Sequence, residues 1–129
     1  MKTYINSVKY LCIALLFSFS IHTSADEFLD ADAVKALVTG KTIHAMHLKK
    51  DFEFKVYFDP DGKTAYRSQH GETTKTTYEF RDNKHCIFWK EKNRCANILD
   101  NGDGTYTRVN KKGKKKVKWT KFEDGKTFE

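Results

Sequence analysis

Apolar and polar side chains alternate along much of the chain after residue 40, and this period of two predicts β-strands. The clearest segment is FEFKVYF at 52–58, where an aromatic or aliphatic residue occupies every second position. It predicts a strand with one buried face and one solvated face. The DPDG sequence at 59–62 then predicts a type I turn into a hairpin, with proline second and glycine fourth.

Eight segments of this kind, separated by turn residues, predict eight antiparallel strands. The predicted strands are 41–48, 52–58, 63–68, 73–81, 85–89, 94–99, 105–110 and 115–122. An open sheet of eight strands exposes two edges with unpaired backbone groups, and closing the sheet removes both edges. We therefore predict an all-β fold, an eight-stranded antiparallel up-and-down barrel.

The interior of a barrel of this size is either filled by side chains or able to hold one small ligand. The chain has enough aromatic side chains to fill the interior nearly completely, which favours packing over a cavity. The candidates are Phe52, Phe54, Phe58, Tyr78, Phe80, Phe88 and either Trp89 or Trp119.

One short helix is predicted before the strands, between residues 30 and 40. Asp30 or Asp32 is suited to cap its first backbone amides, and Gly40 is suited to follow its last turn. Val34 and Val38 lie four residues apart, so they share one helical face.

The first 25 residues have the pattern of an export signal. Lys2 and Lys9 give it a positive start, residues 11–21 are an apolar stretch, and small residues precede the cleavage point. The apolar stretch is shorter than the roughly 20 residues that span a bilayer. We therefore predict a signal peptide at 1–25, a single β-barrel domain at 26–129, and a periplasmic or secreted protein.

Export changes the interpretation of the cysteines. Cys12 is removed with the signal, which leaves Cys86 and Cys95 as a pair in an oxidising compartment. Their spacing matches neither a zinc site nor a redox-active Cys-x-x-Cys motif. We predict a disulfide bond between them that joins neighbouring strands.

Positive charge concentrates near the end of the chain, where lysines surround Val117 and Trp119. Removal of the two signal lysines lowers the formal net charge only from +7 to +5. Clustered lysines attract polyanions, whereas lysines on an exposed strand edge or hairpin prevent aggregation, and both interpretations stay open. The candidate anion-binding residues are Lys111, Lys112, Lys114, Lys115, Lys116, Lys118 and Lys121.

The sequence contains no recognisable catalytic set. Ser68 is the one serine after the signal, and it lacks a Gly-x-Ser-x-Gly context. His44 and His47 would point to opposite faces of the predicted strand. The acidic loop at 100–104 resembles a calcium loop, but its twelfth position is Lys111 instead of a bidentate glutamate. We predict no catalytic residue, no metal site and no cofactor.

Several segments resemble a family of small exported bacterial proteins of unknown function with lipocalin-like barrels. The matching pieces are Gly-Lys-Thr at 40–42, the hairpin at 57–62, the segment 78–84 leading into CIFW at 86–89, Cys95, and Glu-Asp-Gly at 123–125. The chain departs from the family at Tyr78, where a tryptophan is common, and in its lysine-rich last hairpin. The resemblance implies a lipocalin-like barrel and export, and it assigns no catalytic residue.

Together these features predict a non-enzymatic binding module. Its expected partner is an anionic glycan, a lipid headgroup or an envelope protein, and nucleic acid is a poor candidate for an exported protein. One alternative is an inhibitor of a foreign hydrolase that presents the disulfide-stapled loop at 91–93. Another is a small histidine-dependent enzyme or metal-binding protein whose histidines gather inside the barrel.

Overall fold

The computed structural model describes residues 27–129, and the predicted signal peptide at 1–25 lies outside the described residues. The described residues form one helix and nine strands. In chain order the elements are β1 (Glu27–Phe28), α1 (Ala31–Val38), β2 (Lys41–His47), β3 (Phe52–Phe58), β4 (Thr64–Gln69), β5 (Glu72–Arg81), β6 (Lys84–Trp89), β7 (Lys92–Asp100), β8 (Tyr106–Val109) and β9 (Lys115–Asp124).

Strands β2 to β9 form a closed antiparallel barrel of eight strands, which confirms the predicted fold class. Each strand pairs with the next one along the chain, and β9 pairs back with β2 to close the sheet. The short strand β1 is outside the prediction, and it pairs with the end of β7 through Glu27 opposite Asp100 and Phe28 opposite Leu99.

Helix α1 covers one end of the barrel. The side chain of Asp30 caps it by accepting a hydrogen bond from the backbone N–H of Ala33 at 2.9 Å, and Gly40 follows it with a positive φ of 72°. Val34 and Val38 are fully buried in the barrel core. Among residues 27–129, no helix is long and apolar enough to cross a membrane.

The helix-covered half of the interior is filled by aromatic and aliphatic side chains. Phe58 is fully buried, and its ring centroid lies 4.9 Å from that of Tyr78 and 6.5 Å from that of Trp119. Of the two tryptophans, Trp119 is the one in the buried core.

The inclusion of Phe88 among the core residues was wrong. This side chain is 44% exposed, because its neighbours Ile87 and Trp89 occupy the positions of β6 that face inward. Side chains alternate strictly between the two faces of a strand, so a misjudged register of one residue moves a side chain from inside to outside.

The hairpin between β6 and β7 is tighter than the predicted loop at 91–93. Its turn consists of Lys90 and Glu91, so Lys92 and Asn93 already belong to β7. Cys86 and Cys95 lie directly opposite each other on β6 and β7 and form the predicted disulfide bond. The bond therefore joins neighbouring strands four residues from the turn.

Removing the disulfide should lower stability without changing the fold. Cross-linking a loop of this size removes unfolded-state entropy that corresponds to about 2.5 kcal/mol. We expect the C86A/C95A double variant to lose about that amount in urea denaturation, with an unchanged far-UV circular dichroism spectrum. An equal free energy of unfolding for the oxidised parent and the variant would contradict this role.

Replacing the turn residues Lys90 and Glu91 by Asn and Gly should stabilise the protein. Both residues have positive φ angles, of 52° and 63°, which non-glycine residues adopt at a cost. Asn-Gly suits a two-residue hairpin turn of this kind. We expect K90N/E91G to gain about 1 kcal/mol in urea denaturation, and a loss of stability would show that the turn is not strained.

Candidate ligand-binding site

The two ends of the barrel differ in charge. In an up-and-down barrel alternate turns meet at the same end, so residues 48–51, 70–71, 90–91 and 110–114 lie together at what we call the basic end. The turns at 59–63, 82–83 and 101–105 lie with α1 at the helix end. The turns of the basic end contain the lysines Lys49, Lys50, Lys90, Lys111, Lys112 and Lys114 and the acids Asp51 and Glu91, whereas those of the helix end contain the acids Asp59, Asp61, Asp82 and Asp103 and the lysine Lys63.

Three of the four carboxylates in the turns of the helix end, those of Asp59, Asp61 and Asp103, accept hydrogen bonds within their turns. Asp61 accepts hydrogen bonds from the hydroxyl and backbone N–H of Thr64, and the hydroxyl bond is the main cause of its lowered pKa. Asp103 binds Thr105 in the same way, and its pKa is lowered for the same reason. The calcium-like sequence at 100–104 is therefore part of a hydrogen-bonded turn.

The candidate lysines divide between the basic end and the outer wall of the barrel. Lys111, Lys112 and Lys114 are exposed in the turn before β9. The other four lie along β9: Lys115, Lys116, Lys118 and Lys121. Of the seven, only Lys121 lies within salt-bridge distance of a carboxylate of residues 27–129, with its Nζ 3.7 Å from Glu123 Oε2.

The lysines on β9 do not protect a free strand edge. β9 pairs with β2 on one side and with β8 on the other, so its backbone groups are used within the barrel. Prevention of edge-to-edge aggregation therefore does not explain them. The charge of the turn at 110–114 remains as a surface that is free to meet a ligand.

Arg67 projects from β4 into the barrel near the basic end. Its guanidinium carbon lies 3.8 Å from the ring centroid of Phe54 and 4.3 Å from that of Trp89, within cation–π distance of both. Its Nε and one Nη donate to Gln69 Oε1 at 3.1 and 2.8 Å. No carboxylate of residues 27–129 forms a salt bridge with it.

Arg108 lies deeper in the interior and is 8% exposed. Its guanidinium donates to His85 Nδ1 at 2.6 Å and to the backbone carbonyls of His85 and Arg94 at 3.2 and 3.0 Å. These partners are neutral, so the positive charge has no carboxylate beside it among the described residues. Burial, followed by the charge of Arg67, lowers the pKa of Arg108 to about 10, which leaves it protonated at neutral pH.

His85 is fully buried among aromatic rings. The rings of Phe58, Phe80 and Trp119 lie at 4.9, 5.1 and 5.9 Å between centroids. Because Nδ1 accepts a hydrogen bond from Arg108, the proton of the neutral ring is on Nε2. Nε2 has no hydrogen-bond partner among the described residues. Burial, and then the charge of Arg108, holds the pKa of His85 well below 6.5.

A cleft of about 170 Å³ opens at the basic end beside Arg67. Gln69, Thr74 and Trp89 come from the barrel strands, and His70, Glu72 and Lys90 come from or adjoin the hairpin turns. The cleft therefore combines a guanidinium, an indole and several hydrogen-bonding side chains, which suits a small polar ligand.

The four described histidines do not gather at one site. His44 lies on the outer wall, where its Nε2 is 2.8 Å from Glu123 Oε1, and this bond is the main cause that lowers the pKa of Glu123 to about 2. His47 and His70 flank Phe52 near the basic end, and His85 is in the core. Residues 27–129 contain no group of three or more side chains arranged to hold a metal ion.

Ser68 lies on the outer wall, in a second cleft of about 180 Å³ that His44 also lines. Lys55 lies opposite His44 on one neighbouring strand and opposite Ser68 on the other. His44 and Ser68 are therefore two strand spacings apart, of about 4.8 Å each. A serine nucleophile needs a base within hydrogen-bond distance, and no such bond to Ser68 is present among the described residues.

Comparison of the chain with protein-family models, curated proteins and solved structures found no match. The resemblance to small exported proteins with lipocalin-like barrels therefore stays a prediction.

The two interior arginines, Arg67 and Arg108, were not predicted from the sequence. Arg67 lies two positions after Ala65, and Arg108 lies two positions after Tyr106. Both arginines are therefore on the face of their strand that points into the barrel. A charged residue in phase with buried residues was the one available signal, and by itself it does not decide which face of the strand points inward.

Lowering the pH should destabilise the protein through His85. This loss should begin at a higher pH than the one at which carboxylates take up protons. The unfolded chain takes up a proton near pH 6.5 that the folded His85 excludes, so stability falls as the pH decreases from about 7 to 5. The slope contributed by one such proton reaches about 1.4 kcal/mol per pH unit. Urea denaturation across this range measures it.

His85→Phe should reduce this slope, because a phenyl ring fits the aromatic surroundings and leaves the carbonyl partners of Arg108 in place. Part of the slope should remain, since burial and the charge of Lys50 also lower the pKa of His47. Exposed His70 provides the control, and His70→Gln should keep the full slope. An unchanged slope in His85→Phe would contradict the assignment.

Proposed function

We propose that this protein is a non-enzymatic binding module, exported to the periplasm or the exterior, that engages an anionic component of the cell envelope through the basic end of its barrel. The observation that carries the proposal is the separation of charge along the barrel axis. Lysines of three turns meet at one end, and three of the four acids in the turns of the other end accept hydrogen bonds within those turns.

Long-range attraction supports an anionic partner. Clustered positive charge raises the local potential and accelerates the approach of polyanions and anionic lipid surfaces. Among the described residues, no lysine in the turns of the basic end lies within salt-bridge distance of a carboxylate. Binding therefore does not have to break an internal ion pair first.

The disulfide and the side-chain arrangement support export and binding over catalysis. A bond between Cys86 and Cys95 forms and persists in an oxidising compartment. Among residues 27–129, Ser68 has no hydrogen bond to a histidine, and the one histidine–carboxylate pair, His44 with Glu123, lies on the outer wall two strand spacings from Ser68. The inhibitor alternative gains no support, because the hairpin at Lys90 and Glu91 is a two-residue turn and not a projecting loop.

Charge reversal at the basic end should weaken binding to an anionic surface strongly. Each lysine close to an anionic membrane contributes about 1 kcal/mol, so K111E/K112E should bind about thirtyfold more weakly, or worse, to vesicles containing phosphatidylglycerol. Co-sedimentation at low ionic strength measures the partitioning. Binding of the parent should also weaken as salt is added, because screening shortens the reach of the charges.

The matched control is K63E/K126E, which reverses one exposed lysine in a helix-end turn and one exposed lysine after β9, and changes the net charge equally. It should retain near-parental binding, and vesicles of phosphatidylcholine alone should bind none of the three proteins. Equal losses in the two double variants would show that net charge, and not the basic end, determines binding.

A further inference from the structure

The guanidinium of Arg67 has donors that no protein group uses. Gln69 Oε1 accepts from Nε and from one Nη, which are the two nitrogens of one edge of the guanidinium fork. Arginine has five N–H donors, and those on the opposite edge have no hydrogen-bond acceptor among residues 27–129. The N–H groups of this free edge lie in one plane, so they can donate to two oxygens of one carboxylate or phosphate at the same time.

Arg67 is also held in place before any ligand arrives. Its guanidinium contacts the rings of Phe54 and Trp89. The hydrogen bonds to Gln69 fix the orientation of the guanidinium plane. A donor held in this way loses little conformational entropy when it binds. The side chain is therefore preorganised.

The charged groups around Arg67 have an excess of positive charge, which a bound anion would offset. Arg108 is buried behind Arg67 without a carboxylate, and its pKa is lowered partly by the charge of Arg67. Arg94 in turn lowers the pKa of Arg67, after burial. Buried cations without an anionic partner destabilise a folded protein, and a bound anion offsets that cost.

The cleft beside Arg67 has room for such a group. Its volume of about 170 Å³ is several times the roughly 30 Å³ that one water molecule occupies in the liquid. Thr74 pairs with Arg67 across the neighbouring strand, and Thr74 and Lys90 both line the cleft. Glu72 is the one acid in the lining, and its charge opposes anion binding.

We propose that this cleft is a specific subsite for one oxyanion group, a carboxylate or a phosphate, which binds the free edge of Arg67. The subsite rests on the proposed function in that it lies at the same basic end and names the group that the ligand presents. It differs from the lysine surface in mechanism, because the lysines attract a ligand at long range and Arg67 recognises its terminal group by hydrogen bonds.

Inorganic phosphate and acetate, titrated separately against the full domain, distinguish the two oxyanions. Thermal stability is measured with sodium chloride at matched ionic strength as the reference. At least one of the two anions should raise the melting temperature above the chloride reference. If neither does, the subsite proposal is overturned.

The decisive variants are Arg67→Met and Arg67→Lys. A single charge-assisted bidentate contact corresponds to a loss of about tenfold to a hundredfold in affinity, so Arg67→Met should lose the response to the anion. Arg67→Lys keeps the charge but not the planar fork, and it should recover only part of the affinity. Affinity of Arg67→Met within twofold of the parent would overturn the proposal.

Two further readouts separate recognition from damage to the fold. Without anion, Arg67→Met should be as stable as the parent or more stable, since it removes an uncompensated charge from the interior. Glu72→Gln should bind the anion more tightly than the parent. A destabilised Arg67→Met together with weaker binding in Glu72→Gln would indicate a structural role for Arg67 and overturn the subsite.

Failure of the subsite and failure of the proposed function are distinguishable. K111E/K112E should lose binding to anionic vesicles and keep the response to the small anion. Arg67→Met should show the reverse. Loss of vesicle binding with an unchanged small-anion response therefore reports on the lysine surface. Loss of the small-anion response with unchanged vesicle binding reports on the cleft.

Discussion

The structure depends on the pairing of β9 with β2, which closes the sheet. Closure provides every barrel strand with two neighbours and forces alternate side chains to face the interior. It also brings alternate turns to the same end. As a result, lysines near positions 50, 90 and 112, which are far apart in sequence, form one basic surface.

Closure also explains the uneven interior. The helix end is sealed by α1, with Val34 and Val38 buried against the aromatic core around Phe58. Towards the basic end the inward positions include Arg67 and Arg108, and neither arginine forms a salt bridge with a carboxylate of the described residues. An apolar residue at position 67 should give a more stable barrel. We propose that this loss of stability is the counterpart of anion recognition by Arg67.

The sequence predicted the parts of the fold that depend on local pattern. The alternation in 52–58 became β3, Asp30 capped the helix, and Cys86 and Cys95 were placed on neighbouring strands. Phe88 was placed wrongly because one step of register reverses the face, and local sequence does not determine the register of β6.

The candidate site was only partly predictable. The lysine cluster was visible in the sequence because its members are neighbours along the chain. Arg67 and Arg108 were not, since a charged residue in a strand of mixed polarity also suits the solvated face. Which face points inward is decided by pairing across the closed sheet. The proximity of Arg67 to Trp89 likewise arises from two strands that are not adjacent in the barrel.

We propose that ligands bind at the basic end of the barrel. Amide chemical shifts of the isotopically labelled domain, followed during titration with a short-chain phosphatidylglycerol below its micelle concentration and with inorganic phosphate, locate the bound ligand. The largest changes should occur at residues 48–51, 70–74, 89–91 and 110–114. Changes centred instead on residues 59–63, 82–83 and 101–105, at the helix end, would contradict it.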